Sequence, residues 1–129
     1  ADRGDVRLRP DDVLERAPDF AEAHNKRATV LYLLGRHGQA VEACEACLRA
    51  NPWHFGAASG AGLCHVALQR PAEALAAFER ALDIHPGLTQ IARYAAALRA
   101  TMEEQRRQQQ QQQQQQPQGG GEGGVPASW

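Results

Sequence analysis

The stretch that decides the fold covers residues 21–88 and reads as two units of 34 residues, AEAHNKRATVLYLLGRHGQAVEACEACLRANPWH (21–54) and FGAASGAGLCHVALQRPAEALAAFERALDIHPGL (55–88). Laid over each other, the units share eight identities: Ala23/Ala57, Leu34/Leu68, Arg36/Arg70, Ala40/Ala74, Ala43/Ala77, Glu45/Glu79, Leu48/Leu82 and Pro52/Pro86. The closing proline has a third copy 34 residues upstream, at Pro18. A constant period of this length indicates stacked supersecondary units.

Each unit has the pattern of a helix, a turn and a second helix. In the first unit, apolar residues at helical spacing are interrupted by Gly35 and Gly38 and resume at Ala40. In the second unit the new helix starts at Pro71, where the missing N–H has no partner to lose. We therefore predict two helix pairs, with small side chains where the helices approach closely.

These residues resemble the tetratricopeptide repeat (TPR) family. The family pattern has small residues at the eighth and twentieth positions, an aromatic and a small residue on the second helix, and a closing proline. The matching residues are Ala28 and Gly62, Ala40 and Ala74, Phe78 with Ala81, and Pro52 with Pro86. Cys44 and Cys47 are undersized at the aromatic and small positions of the first unit. The first helices also depart from the pattern, so the chain resembles a divergent member, similar to small bacterial-type TPR proteins.

The resemblance implies an all-α fold, a right-handed superhelical stack of antiparallel helix pairs (an α-solenoid) with a C-terminal capping helix and a disordered tail. The expected organisation is a disordered N-terminus (1–10), a remnant of a preceding repeat helix (11–20), TPR unit 1 (21–54), TPR unit 2 (55–88), a capping helix (89–107) and a polyglutamine and glycine-rich disordered tail (108–129). For residues 11–20 an N-terminal capping helix is the alternative. The nine glutamines Gln108–Gln116 have no apolar face, so we expect them to be solvated, as frayed helix or coil. Strand pairing of the tract is a second possibility.

Composition excludes several classes of function. The formal net charge of -1 argues against a protein that binds nucleic acid through bulk electrostatics. The sequence has no apolar run long enough to cross a membrane and no secretory signal pattern at its start, so we expect no membrane partner. Three unpaired cysteines suit an intracellular, reducing compartment, the cytoplasm or an organelle interior, and do not indicate which organelle.

The resemblance also assigns a candidate binding surface. In TPR proteins one side of the first helices lines a concave groove that holds an extended peptide or a partner helix. The candidate groove residues here are Glu22, Asn25, Lys26, Thr29 and Leu33 of unit 1, Ser59 and Leu63 of unit 2, and Gln90 and Arg93 of the next helix. The family's carboxylate clamp needs lysine, asparagine and arginine at positions that hold Asn25, Thr29, Gly60, Gln90 and Tyr94 here. We therefore predict a groove without a clamp for an acidic chain end.

The cysteines allow a different interpretation. Cys44 and Cys47 form a C-x-x-C pattern, and Cys64-His65 follows, which resembles a zinc site in spacing. However, Cys44 and Cys47 occupy the inward positions that Phe78 and Ala81 fill in unit 2, where a cysteine acts as a small hydrophobe. We therefore favour core packing and expect no metal and no cofactor.

The predicted function is noncatalytic protein–protein interaction, with a partner peptide or helix in the groove. No serine, cysteine or carboxylate has the context of a nucleophile with its base, so we expect neither an enzyme nor a small-molecule substrate. The first alternative is a structural subunit or scaffold of a larger complex, which an open apolar face near Val30 or Leu31 would favour. Zinc binding is the weaker alternative. Trp53 and Phe55 are expected to wedge between neighbouring helix pairs.

Overall fold

The computed structural model describes residues 18–115, which fold as five α-helices without a strand in that range. The helices are α1 (Pro18–Leu33), α2 (His37–Ala50), α3 (Phe55–Ala67), α4 (Pro71–Ile84) and α5 (Thr89–Gln115). α1 packs on α2 and α3 on α4, while α2 contacts α3, α4 contacts α5 and α1 touches α3. This is the predicted α-solenoid of helix pairs.

Within each helix pair, the two helices are joined by the same kind of turn. After α1, the chain turns at Gly35, whose φ is +79°, and Arg36 N–H donates to Leu31 C=O at 2.9 Å. After α3, the turning residue is Gln69 with a φ of +60°, and Arg70 N–H again bonds back five residues, at 2.8 Å. A positive φ at the end of a helix favours glycine, because glycine has no Cβ to clash with the backbone. The backbone is therefore strained at Gln69 and unstrained at Gly35.

Small side chains bring the helices together. Ala40 and Ala74, the matching twentieth residues of the two units, are both completely buried, as is Phe78. Among residues 20–115, whose exposure the structure describes, no polar or charged residue is buried. The core is therefore apolar and is built mainly from alanine, cysteine and a few larger aliphatic residues.

Two glycines on α3 have different roles. A Cβ on Gly62 would lie 2.3 Å from the Phe78 ring, so the ring of α4 occupies the space that the missing side chain leaves. A Cβ on Gly60 would lie 3.5 Å from Cys44 Sγ, which is an ordinary contact. Core packing therefore requires glycine at position 62 and does not require it at position 60.

Neither aromatic residue at the start of α3 is seen to make the predicted contact between the helix pairs: the ring contact of Phe55 lies within the second pair, and Trp53 is exposed. The Phe55 ring stacks on His85 with a centroid distance of 4.8 Å and an interplanar angle of 1°, linking the start of α3 to the end of α4. Trp53 is 75% exposed, so the prediction that it wedges between the pairs is wrong. Its backbone N–H donates to Asn51 Oδ1 at 3.0 Å within a tight surface turn, and the short turn leaves the indole in solvent.

Two helix boundaries differ from the predicted ones. Residues 18–20 are helical and continuous with α1 (Pro18–Leu33), whereas the prediction placed them with residues 11–17 in a remnant of a preceding repeat. Proline is well suited to the first helical position. α5 continues to Gln115, beyond the predicted end of the capping helix at residue 107, because glutamine is a good helix former and an existing helix needs no new nucleation. The predictions for residues 1–17 and 116–129 lie outside the described residues.

α5 packs on α4. Ile91 and Ala95 are buried there, and Leu98 and Met102 are half-buried. From Glu103 to Gln115 every side chain is exposed, but Gln105, Arg106 and Gln109 still line an open pocket with the residues at the start of α4. Only residues 110–115 project beyond the packed helices.

The strained turn after α3 gives a first prediction. Gln69→Gly should raise the free energy of unfolding by up to about 1 kcal/mol, because glycine adopts a positive φ without the Cβ clash. Gly35→Ala at the equivalent turn should lower it by a similar amount. Urea unfolding followed by circular dichroism measures both changes, and stabilisation by Gly35→Ala would contradict the turn geometry.

The two α3 glycines give a second prediction. Gly62→Ala should lower the free energy of unfolding by about 1–3 kcal/mol, since the methyl group would overlap the Phe78 ring. Gly60→Ala should raise it by about 0.5–1 kcal/mol through the better helix propensity of alanine. The same urea titration compares them, and a change of the same sign for both variants would refute the packing difference.

Candidate functional site

A pocket of about 220 Å³ opens between α1 and α3, at the interface of the two helix pairs. It is lined by Asn25, Ala28, Thr29, Tyr32, Cys44, Gly56, Gly60, Leu63 and Cys64. Most of this lining is apolar, and none of these residues carries an aspartate, glutamate, lysine or arginine side chain. A small apolar group would therefore fit the pocket without leaving a charge unpaired.

The predicted groove residues divide into two sets. Asn25 and Thr29 of α1 and Leu63 of α3 line the pocket and are brought together by the contact of the two helices. The others do not line it: Glu22, Lys26, Leu33, Gln90 and Arg93 are exposed, and Ser59 is half-buried.

Glu22 takes part in a contact between the helix pairs. Its Oε1 lies 3.0 Å from Nε2 of His54, the residue that caps the N-terminus of α3. The other ring nitrogen, Nδ1, accepts from Ala57 N–H at 3.0 Å. A neutral imidazole with its proton on Nε2 satisfies both bonds. The hydrogen bond from His54 is the main reason that the pKa of the Glu22 carboxyl lies below its usual value.

The polar rim of the pocket is formed by α1. Thr29 Oγ1 donates to Asn25 C=O at 3.1 Å, which leaves the lone pairs of the hydroxyl oxygen as acceptors. A hydrogen bond between Asn25 and Glu22 also contributes to the lowered pKa of Glu22. The rim can therefore offer hydrogen bonds to the backbone of a bound segment, while the floor offers apolar contact.

The pocket is open because two repeat positions are small. Cys44 and Gly60 meet at its floor, and the equivalent residues at the next interface are Phe78 and Tyr94, whose ring centroids are 5.8 Å apart. The sequence shows that Cys44 is undersized, but Cys44, Tyr32 and Cys64 were not among the candidate groove residues predicted from it. The size difference between Cys44 and Phe78 is the signal that could have found them.

The three cysteines are free thiols inside the core. Contact with Cys64, followed by burial, raises the pKa of the Cys44 thiol, and burial raises the pKa of the Cys47 thiol to about 11. Within residues 18–115 no group of three or more histidine, cysteine, aspartate or glutamate residues is placed to hold a metal ion. Packing accounts for the positions of these thiols, which is the interpretation that the sequence favoured.

Across the same part of the chain, no helix combines the length and the apolar character that crossing a membrane would need.

Comparison with known proteins agrees with this geometry. A family model described as tetratricopeptide repeat matches residues 31–102. A TPR repeat-containing protein of Rhizobium etli is 36% identical over 76 residues, which cover 59% of this chain and 37% of the relative. The chain thus spans little more than a third of that relative's length.

Among solved structures, the fold is similar to the first TPR of Spaghetti (RPAP3) bound to the HSP90 peptide SRMEEVD, with a TM-score of 0.60. The sequences are 22% identical, and the match covers 67% of this chain and 66% of that one. At this identity the likeness bears on the fold alone.

The buried thiols give a third prediction. At pH 8 a thiol with a pKa near 11 is ionised in roughly one molecule in a thousand, and the thiolate is the reactive form. Contact with Cys44 instead lowers the pKa of the Cys64 thiol, but all three side chains are at most 2% exposed, so the reagent cannot reach them without local opening of the fold. Iodoacetamide should modify the cysteines of the folded chain at least about tenfold more slowly than free cysteine. Mass spectrometry counts the modified sites, and the same reaction in urea, where all three should react, is the control. Fast labelling of Cys44, Cys47 or Cys64 in the folded chain would contradict the burial.

Proposed function

The chain belongs to the tetratricopeptide repeat family, and on that premise we propose that it is a noncatalytic protein-interaction module that holds a partner segment on the α1–α3 side of its solenoid. The proposal rests on the pocket between α1 and α3, which is lined by Asn25, Thr29 and Leu63 and has an apolar floor. TPR domains generally act by binding other proteins. A helix scaffold of this kind is preformed, so little of the binding free energy goes into ordering the receptor.

The proposed ligand is a peptide segment, extended or helical, whose backbone contacts the Asn25–Thr29 rim while one side chain enters the pocket. The HSP90 peptide bound by the structural neighbour shows that a TPR of similar fold can hold a peptide. In the present chain the positions of the carboxylate clamp hold other residues, so we propose a partner other than an acidic chain end.

A second function is favoured by an exposed face of α1. At the other two first helices the third, seventh, tenth and fourteenth repeat residues are buried or half-buried. They are Ala57, Ala61 and Cys64 on α3 with Leu68 directly after it, and Ile91, Ala95, Leu98 and Met102 on α5. The matching residues of the first unit are all exposed: Ala23, Arg27 and Val30 on α1, with Val30 at 55%, and Leu34 directly after the helix. We propose this end face as a contact with another helix pair of a larger assembly. Leu31, the other residue considered for this role, is buried.

One binding experiment tests both surfaces and gives a fourth prediction. The full chain is used to select binders from a displayed library of random 12-residue peptides, and the affinities are measured by fluorescence anisotropy. The variant Asn25→Ala/Leu63→Ser should weaken the selected peptides at least about tenfold, because it removes a rim hydrogen bond and an apolar wall. Circular dichroism verifies that each variant is folded.

Two further variants show which surface binds. The control Glu42→Ala/Ala76→Ser changes exposed residues of the second helices and should leave the affinity unchanged. Val30→Glu/Leu34→Glu changes the end face of α1. If this variant loses the peptides and the pocket variant keeps them, the end face is the binding surface. If no variant affects binding, the α1–α3 assignment is wrong.

A further inference from the structure

The two interfaces between successive units, α2 against α3 and α4 against α5, can be compared residue by residue. In each, the twenty-fourth residue of one unit lies beside the sixth residue of the next. At the first interface these are Cys44 and Gly60, and at the second they are Phe78 and Tyr94. The second site is filled by two aromatic rings at an interplanar angle of 39°, whereas the first holds the pocket of about 220 Å³.

The open site is not a consequence of close helix approach. Gly62 must be glycine because the Phe78 ring occupies its Cβ position, but a Cβ on Gly60 would make only one ordinary contact, to Cys44 Sγ at 3.5 Å. A larger residue at position 60 is therefore compatible with the backbone. The open space beside Gly60 is therefore not required for the packing of α2 against α3.

From this comparison we infer that the pocket takes an aromatic side chain of the partner, which supplies the ring that the first interface lacks. The inference rests on the proposed peptide-binding function and names the side chain that would occupy the site. Its template is the second interface of the same chain, where the equivalent position holds the Tyr94 ring against Phe78.

The lining suits an aromatic ring chemically. The thiols of Cys44 and Cys64 lie at the pocket, and sulfur makes favourable contacts with aromatic rings. Tyr32 adds an exposed ring on the wall, which lies edge-on to His37 at a centroid distance of 5.2 Å, and it can meet an incoming ring in the same manner. A charged side chain would lose its hydration without gaining a counter-charge from the lining.

The experiment uses the ¹⁵N-labelled full chain and three small probes: N-acetyl-phenylalaninamide, N-acetyl-leucinamide and N-acetyl-alaninamide. The phenylalanine probe should shift the amide signals of Gly56, Gly60 and Cys64 in a saturable manner. Its dissociation constant should be in the millimolar range and at least about fivefold lower than that of the leucine probe, and the alanine probe should not saturate.

Gly60→Tyr is the blocking variant, because it places a ring at the position that Tyr94 holds in the second interface. It should abolish the response to the phenylalanine probe. Ala76→Tyr adds the same ring to an exposed residue of α4 and should leave the response intact. If Gly60→Tyr is unfolded by circular dichroism, Gly60→Ala is used, which fills less of the pocket and should raise the dissociation constant at least about threefold.

Three results would overturn the inference. These are equal responses to the phenylalanine and alanine probes, a response that Gly60→Tyr or its replacement leaves unchanged, and shifts of the same amides with protein concentration alone, which would show that a second copy fills the pocket.

The displayed-peptide selection separates this inference from the proposed function. If selected peptides lose affinity with Asn25→Ala/Leu63→Ser but the phenylalanine probe does not bind, the groove assignment stands and the aromatic preference is wrong. If the selection yields no binder, the proposed function fails and the probe titration still decides the occupant of the pocket.

Discussion

Close approach of helices across small side chains is the constraint on which the rest of the structure depends. Ala40 and Ala74 are fully buried at the same position of each unit, and the Phe78 ring lies where a side chain on Gly62 would be. With few aromatic residues and an apolar core, the chain gains its packing from short distances between helix axes. The same dependence explains why two small residues, Cys44 and Gly60 at the positions of Phe78 and Tyr94, are enough to leave a pocket.

Most of the fold could be predicted from the sequence because the same pattern of packed residues occurs in both units. The recurrence of Ala40/Ala74 and Pro52/Pro86 at 34 residues determines the helix pairs and their order. The ends of the array were harder to predict, since no second copy exists to compare them with. The start of α1 at Pro18 and the continuation of α5 to Gln115 depend on local helix chemistry, and the exposed Trp53 depends on a turn that holds it in solvent.

The candidate site could be predicted only as a side of the solenoid. Family resemblance selected a row of first-helix residues, and Asn25, Thr29 and Leu63 do line one pocket. Glu22 instead bonds to His54, a residue 32 positions away, which no spacing within one helix could indicate. The floor of the pocket was missed because Cys44 and Gly60 belong to different units. Their proximity follows from how α2 meets α3, which is a property of the stack and not of either helix.

The glutamine-rich end of α5 has a geometric consequence. Met102 is the last half-buried residue of the helix, Gln105, Arg106 and Gln109 still lie beside the start of α4, and the six residues after Gln109 extend the helix into solvent by roughly 9 Å. A helix is a rigid spacer, so this arm sets how far from the solenoid, and in which direction, the chain continues after Gln115. Each glutamine gained or lost would change the reach by about 1.5 Å and rotate the exit point by about 100°. Length variation in a glutamine tract, which is neutral in a flexible coil, would here act as a stepwise change of both distance and orientation.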